Sequence, residues 1–155
     1  MALIACRIIE VCVFRFVGNR PEYLLLKRAS DEKIYPNLWQ IVSGSIDDGE
    51  EAYKAALREL KEETNFIPSL FWVVPFVNLF YDHHYDAMNL SPFFAAQVSP
   101  DAEPVLSEEH QSYEWLPYDA AQSRLVWPGQ RNGLDIVHKY IVGGEQAAGL
   151  TLITV

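Results

Sequence analysis

Glu59, Glu62 and Glu63 recur at spacings of three and four residues, in a run from Glu50 to Thr64 that contains neither proline nor glycine. On a helix turning about 100° per residue they fall on one stripe. Clustered carboxylates suit hard divalent cations, Mg²⁺ first and Mn²⁺ as the alternative, because these ions take oxygen ligands and keep several waters. Such an ion neutralises charge on the oxygens of a bound group and acidifies a bound water, the two requirements for metal-assisted hydrolysis at neutral pH. Like charges at these spacings repel by a few tenths of a kcal/mol per pair on an isolated helix. A positive partner is therefore expected. A solvated acidic helix face is the plain alternative.

The elements that must position the carboxylates are legible on either side. Gly44, Ser45, Asp47, Asp48 and Gly49 are turn formers, so Gly44–Gly49 reads as a loop feeding a helix from Glu50 to Thr64. Asp48 or Gly49 is the expected cap, with Glu50 and Glu51 in the positive first turn. Tyr53, Leu57, Leu60 and Thr64 form the stripe expected to be buried. Ala52, Ala55 and Ala56 extend the acidic stripe backward, where small side chains leave room for a loop. Arg58 is within i, i+4 reach of Glu62.

The full pattern is Gly44, five residues, Glu50, seven residues, Arg58-Glu59-Leu60, one residue, Glu62-Glu63, and a bulky residue at Phe66. It resembles the Nudix box, departing only at Asn65, where the family has a second glycine. That place is a helix end needing positive φ, and asparagine is the best substitute there. The resemblance implies an α+β fold, a Nudix-type α/β/α sandwich with a mixed central sheet, in a single domain over residues 1–155. It also implies a Mg²⁺-dependent hydrolase of a nucleoside triphosphate or other X-linked diphosphate. In that picture Glu59, Glu62, Glu63 and the Gly44 carbonyl bind metal, Glu59 and Glu62 share in catalysis, and Arg58 ties Glu50 and its loop to the helix. A distal carboxylate often supplements the box as metal ligand or general base, and Glu109 is the candidate, with Glu108 second. Arg28 and Lys27 end a strand near the same loops and suit phosphate. Ser43 and Trp39, on the approach to Gly44, complete the substrate-side candidates. Phe80, Tyr81 and Tyr85 are aromatics able to stack on a base, although most aromatics are core.

Along the rest of the chain, residues 3–17 read as one central strand, apolar at both parities. Gly18–Pro21 turns into a strand at Tyr23–Leu26, and Leu38–Ser43 delivers the chain to Gly44. Ser69–Tyr81 reads as one or two strands with an edge or bulge at Pro75. His83 and His84 lie in a loop without ligand spacing for zinc. Pro92–Val98 and Tyr113–Leu116 are strands, Tyr118–Leu125 a short helix and Gln130–Ile141 a longer one. Leu150–Val155 has strand composition.

A chain of 155 residues, half of them hydrophobic, can bury a substantial core in one domain. The net charge of −9 argues against stable nucleic-acid binding, which needs a basic surface. No run of about 18 uncharged apolar residues and no signal-peptide pattern occurs, so no membrane partner and a cytoplasmic location are expected. Cys6 and Cys12, too far apart for a disulfide if they share one strand, are expected to be buried free thiols. The small-molecule phosphoanhydride is the expected partner, the assembly a monomer or homodimer. LWQIVSGSI, EEHQSYEWL and WPGQRN resemble the branch of dATP pyrophosphohydrolases and dihydroneopterin triphosphate pyrophosphatases, which release pyrophosphate. Dinucleoside polyphosphate or nucleotide-sugar hydrolysis is the alternative, as is a non-catalytic Nudix-fold module that binds nucleotide. The intact glutamates count against the last.

Overall fold

Side-chain alternation along β2 (Ile8–Val17) divides the interior in two. Ile9, Val11 and Val13 enter one core, Cys12 and Phe14 the other, as a period of two requires. β3 (Arg20–Arg28) repeats the division with Leu24 and Leu26 against Tyr23 and Leu25. A strand buried on both faces must be central. The computed structural model, which describes Met1–Val155, places β2 at the middle of a nine-stranded mixed sheet.

The remaining strands are β1 (Leu3–Ala5), β4 (Trp39–Gln40), β5 (Val42–Ser45), β6 (Leu70–Asp82), β7 (Ala87–Gln97), β8 (His110–Leu116) and β9 (Leu152–Ile153). β7 runs parallel to both β1 and β2, whereas β2 pairs antiparallel with β3 and β5. β5 pairs with β2 alone, so it is an edge. α1 (Ala52–Thr64) covers one face through Ala55, Ala56 and Leu60. α2 (Tyr118–Arg124), α3 (Pro128–Ile136) and its π-helical continuation Val137–Val142 cover the other through Ala121, Leu125, Leu134, Val137 and Ile141. A short α4 (Gln146–Leu150) leads into β9, which pairs with Phe71 and Trp72 of β6. The mixed α+β sandwich is the expected fold class, and no helix is long and apolar enough to cross a membrane.

Several local expectations are corrected. Residues 3–17 are two strands, because the chain leaves β1, paired with β7, and re-enters at Ile8. Cys6 lies in that break and is exposed, whereas Cys12 is buried; both are free thiols. Gly44 and Ser45 are strand residues, in register with Ile9 and Ile8. α1 starts at Ala52 with Glu51 at the cap position, so Glu50 lies outside the first turn and neither Asp48 nor Gly49 caps it. Ala55 and Ala56 are fully buried against the sheet, while Tyr53 and Leu57 are only partly covered. Small side chains bring the helix close to the strands; they do not make room for a loop. Asn65 takes φ of 64° and its N–H bonds the Lys61 carbonyl at 2.8 Å, closing the helix without a glycine. The pairing of β6 with β7 shifts register between Val73 and Val77, around Pro75, because proline cannot donate to the ladder.

α3 is held equally close on the other face. A Cβ at Gly133 would stand 2.3 Å from Cζ of Phe93, itself fully buried. Gly133→Val is expected to destabilise the fold by about 1–3 kcal/mol, the usual range for overpacking a core. Urea unfolding checks it, and an unchanged midpoint would contradict the close packing of α3 on β7.

Candidate functional site

Arg58 and Glu50 organise the entrance to α1. Arg58 Nε and one terminal nitrogen donate to the two Glu50 oxygens, each at 2.9 Å. The guanidinium also donates to the Ser45 carbonyl at 2.8 Å and to Glu59 at 2.9 Å, and Glu62 lies 3.4 Å away. Glu50 accepts the Asp47 N–H at 3.0 Å, which closes the turn. These donors, Arg58 foremost, hold the Glu50 carboxyl down from its ordinary 4.5 to about 2. The same ion pairs raise Arg58 above its ordinary value.

The three box glutamates differ sharply in exposure. Glu59 and Glu63 are buried, with Glu63 only 2% exposed, whereas Glu62 is exposed. Glu59 lies directly against Gly44, where a Cβ would be 2.1 Å from its carboxyl carbon. No other residue fits there without moving Glu59. A solvated acidic face therefore does not describe Glu59 or Glu63.

Neither oxygen of Glu63 has a partner in good hydrogen-bond geometry, although the Ser43 backbone and the Glu109 carboxyl lie beside them. Glu63, Glu109 and His110 each bring a ligand atom within 4.8 Å of the others. Burial above all, then the charges of Glu109 and Glu59, pushes the Glu63 carboxyl up to about 9. A buried carboxylate without a partner is costly, and two neighbouring carboxylates make it more so. These orphaned oxygens, the Gly44 cradle and the carboxylates of Glu59 and Glu109 fit a hard divalent cation, with His110 the one nitrogen donor in the group. Burial, with a smaller contribution from Arg28, lowers His110 to about 4, so its ring is neutral at pH 7. Its Nε2 lies 3.0 Å from Gln40 Nε2, and its Nδ1 has no partner.

The other candidates lie on the strands beside this cluster, with Arg28 in register with His110 and Lys27 with Trp39. Arg28 bonds the Ile34 carbonyl at 3.0 Å and Glu32 at 3.1 Å, on the wall of a recess of about 380 Å³ that Glu108 shares. Lys27 and the Arg124 guanidinium approach the Trp39 ring, at 6.0 and 4.9 Å from its centroid. Ser43 pairs across the strands with Glu10. His83 and His84 lie at the tip of the β6–β7 hairpin with their rings tilted at 37° and centroids 3.9 Å apart. His110 is absent from the sequence-based candidates although it follows Glu109 directly. Its burial depends on where β8 joins β3, which no local pattern discloses.

A family model, the NUDIX domain, matches residues 7–135. The chain is 32% identical over 132 residues to an octanoyltransferase of Myxococcus xanthus, a match covering 81% of this chain and 34% of that protein. It thus spans about a third of that relative's length. To nucleoside triphosphatase NudI of Klebsiella pneumoniae it is 28% identical over 107 residues, 64% of this chain and 76% of that protein. The fold superposes on a C. elegans Ap4A hydrolase binary complex with a TM-score of 0.74, over 92% of this chain and 99% of that one, at 20% identity.

Two outcomes check the Arg58–Glu50 pair. Arg58→Lys is expected to lower the thermal midpoint, because an ammonium cannot reproduce the planar two-pronged contact. The depressed carboxyl makes the pair's contribution complete above about pH 4.5, the ordinary value, and lost as pH falls toward about 2, since the unfolded chain binds the proton first. Glu50→Gln should therefore destabilise strongly at pH 7 and hardly at all near pH 2. Equal destabilisation at both ends would show that charge is not what Glu50 contributes.

Proposed function

Because the chain belongs to the Nudix family, we propose that it hydrolyses a phosphoanhydride bond of a nucleoside triphosphate or related X-linked diphosphate, with Mg²⁺ as the cation and Mn²⁺ as its substitute. The observation that carries this is Glu63, buried beside Glu109 with both oxygens unpartnered. Glu59, Glu62, Glu63, Glu109 and the Gly44 carbonyl would hold the ion. When bound, it supplies charge neutralisation at the phosphate oxygens and a more acidic water.

The chain's own groups then divide the work. Arg58 fixes the direction of Glu59 and keeps the Gly44–Glu50 segment against α1. Glu109, exposed at the rim, accepts the proton of the attacking water, and Glu59 and Glu62 set the charge around it. The water oxygen forms the new bond to phosphorus as the bridging P–O bond breaks, and pyrophosphate leaves. Arg28 and Lys27 receive the phosphate chain, for which Arg28 exchanges its bond to Glu32. Ser43 and Trp39 line the approach. The substrate lean is to dATP or dihydroneopterin triphosphate.

Glu63→Gln and Glu62→Gln should each lower turnover in Mg²⁺ by at least about a hundredfold while the protein stays folded. For Glu63→Gln the melting temperature without metal should hold or rise at pH 7, since the amide enters the site without the proton that a carboxyl raised to about 9 must take up on folding. Near-normal turnover in both variants would end the metal reading. Arg28→Ala should lower kcat/KM for triphosphates, and Glu109→Gln should act mainly on kcat. Steady-state kinetics separates the two, and the reverse assignment would exchange their roles.

A further inference from the structure

β6 borders the sheet on one side, and most of its outer edge is bare. β7 pairs with it on the inner side. On the outer side β9 reaches only Phe71 and Trp72, followed by one bond from the Val73 N–H to the Thr151 carbonyl at 3.0 Å. From Phe76 to Asp82 no strand lies outside β6. Such an edge presents a row of backbone donors and acceptors to a further strand, and folded chains ordinarily blunt it with lysine, proline or a bulge. Here the register shift and Pro75 come before Phe76, and the first charge after them is Asp82.

The side chains along this edge divide by the period of two. Phe76, Asn78 and Phe80 are half-buried on the side that α3 covers, where Gly129 stands against Asn78. Val77, Leu79 and Tyr81 point the other way and are 51%, 58% and 53% exposed. Their cross-strand partners are Pro92, Leu90 and Met88, so that face is apolar across both strands. The Tyr81 hydroxyl already donates to Asp86 at 2.9 Å. A strand that joins this edge must therefore offer apolar residues at alternate positions and no charge between them.

The edge itself meets that description. An antiparallel two-fold centred on Leu79 sets Leu79 against Leu79 and Val77 against Tyr81. Among two-fold registers that keep the odd positions on one face, only this one pairs all three within Phe76–Asp82. An aromatic opposite a β-branched residue is a favourable cross-strand pair. Pro75 ends the ladder, since it cannot donate. Each chain carries a net charge of −9, but the two Asp82 carboxylates fall at opposite ends, about 20 Å apart at 3.3 Å per residue, well beyond the screening length of about 8 Å.

We propose that two copies of this chain join through the outer edge of β6, in antiparallel register about Leu79, to form one continuous sheet. The same patch is used on both copies, so the contact closes on itself and adds no third chain. β2 and β7 separate β5 from β6, which leaves Gly44 and the carboxylates of α1 open in both copies. About seven residues a side, against about 20–30 in a standard interface, make this a weak dimer that forms as concentration rises.

Sedimentation velocity from about 5 µM to about 500 µM is the test. The wild type should pass from one chain of 17.7 kDa to two. Leu79→Lys should remain a single chain throughout, because it sets like charges directly opposite each other, while its circular dichroism and its melting temperature in dilute solution stay those of the wild type. In a Cys6→Ser background, Leu79→Cys should give a disulfide-linked dimer on mild oxidation, since directly opposed Cα atoms lie about 4.5–5.5 Å apart, within disulfide reach. Val77→Cys should not, because its counterpart sits four residues along the strand, about 13 Å away. The cysteine pair reads the register without depending on the lysine variant. A single chain at every concentration overturns the proposal and leaves the edge to a strand of another protein. A dimer that Leu79→Lys does not dissociate, or equal cross-linking at positions 77 and 79, overturns it too.

Discussion

The Arg58 guanidinium contacts both oxygens of Glu50, the Ser45 carbonyl and Glu59. A single planar cation thereby joins an edge strand, the turn after it and the middle of a helix. Only a rigid fork with several donors can serve such a set. Without it, Glu59 would face Gly44 with no hydrogen-bond donor, and the turn through Asp47 would lose the carboxylate that closes it. The geometry of everything at this end of the sheet follows from that contact.

What Arg58 does not reach is as informative. Its donors are used on Glu50, Ser45 and Glu59, with Glu62 at longer range, and Glu63 receives none. Folding alone gives no return for burying a carboxylate with two open oxygens next to Glu109. Stability selects against such a group, so its place in the structure points to something bound. The alanines of α1 contribute to this, because Ala55 and Ala56 bring the helix near enough to the strands to bury Glu59 and Glu63.

The sheet carries a comparable arrangement on its other face, where Gly129 and Gly133 bring α3 down onto Asn78 and Phe93. Glu10 is then enclosed by amides instead of by a cation. Buried carboxylates on the two sides of the β2–β5 pair are treated differently by their surroundings: Glu63 is left open among negative charge, and Glu10 is partly satisfied by neutral donors.

By itself the sequence determined whatever depends on local spacing. The three and four residue intervals of Glu59, Glu62 and Glu63, the offset of Gly44 and Glu50 from Arg58, and the asparagine that ends α1 are readable because a helix fixes relations within a few turns. The family and the α+β class follow from that stretch and from the order of the strands. Tertiary structure decided which carboxylates are buried, that Gly44 is a strand residue pressed on Glu59, and that residues 3–17 divide at Cys6. It also brought Glu109 and His110 to Glu63, and Asn78 and Gln130 to Glu10. Glu10 left a trace in the sequence as a charge within an apolar strand, but its partners come from β6 and α3. Those contacts arise from strand register and helix docking, and neither is encoded in the spacing of neighbouring residues.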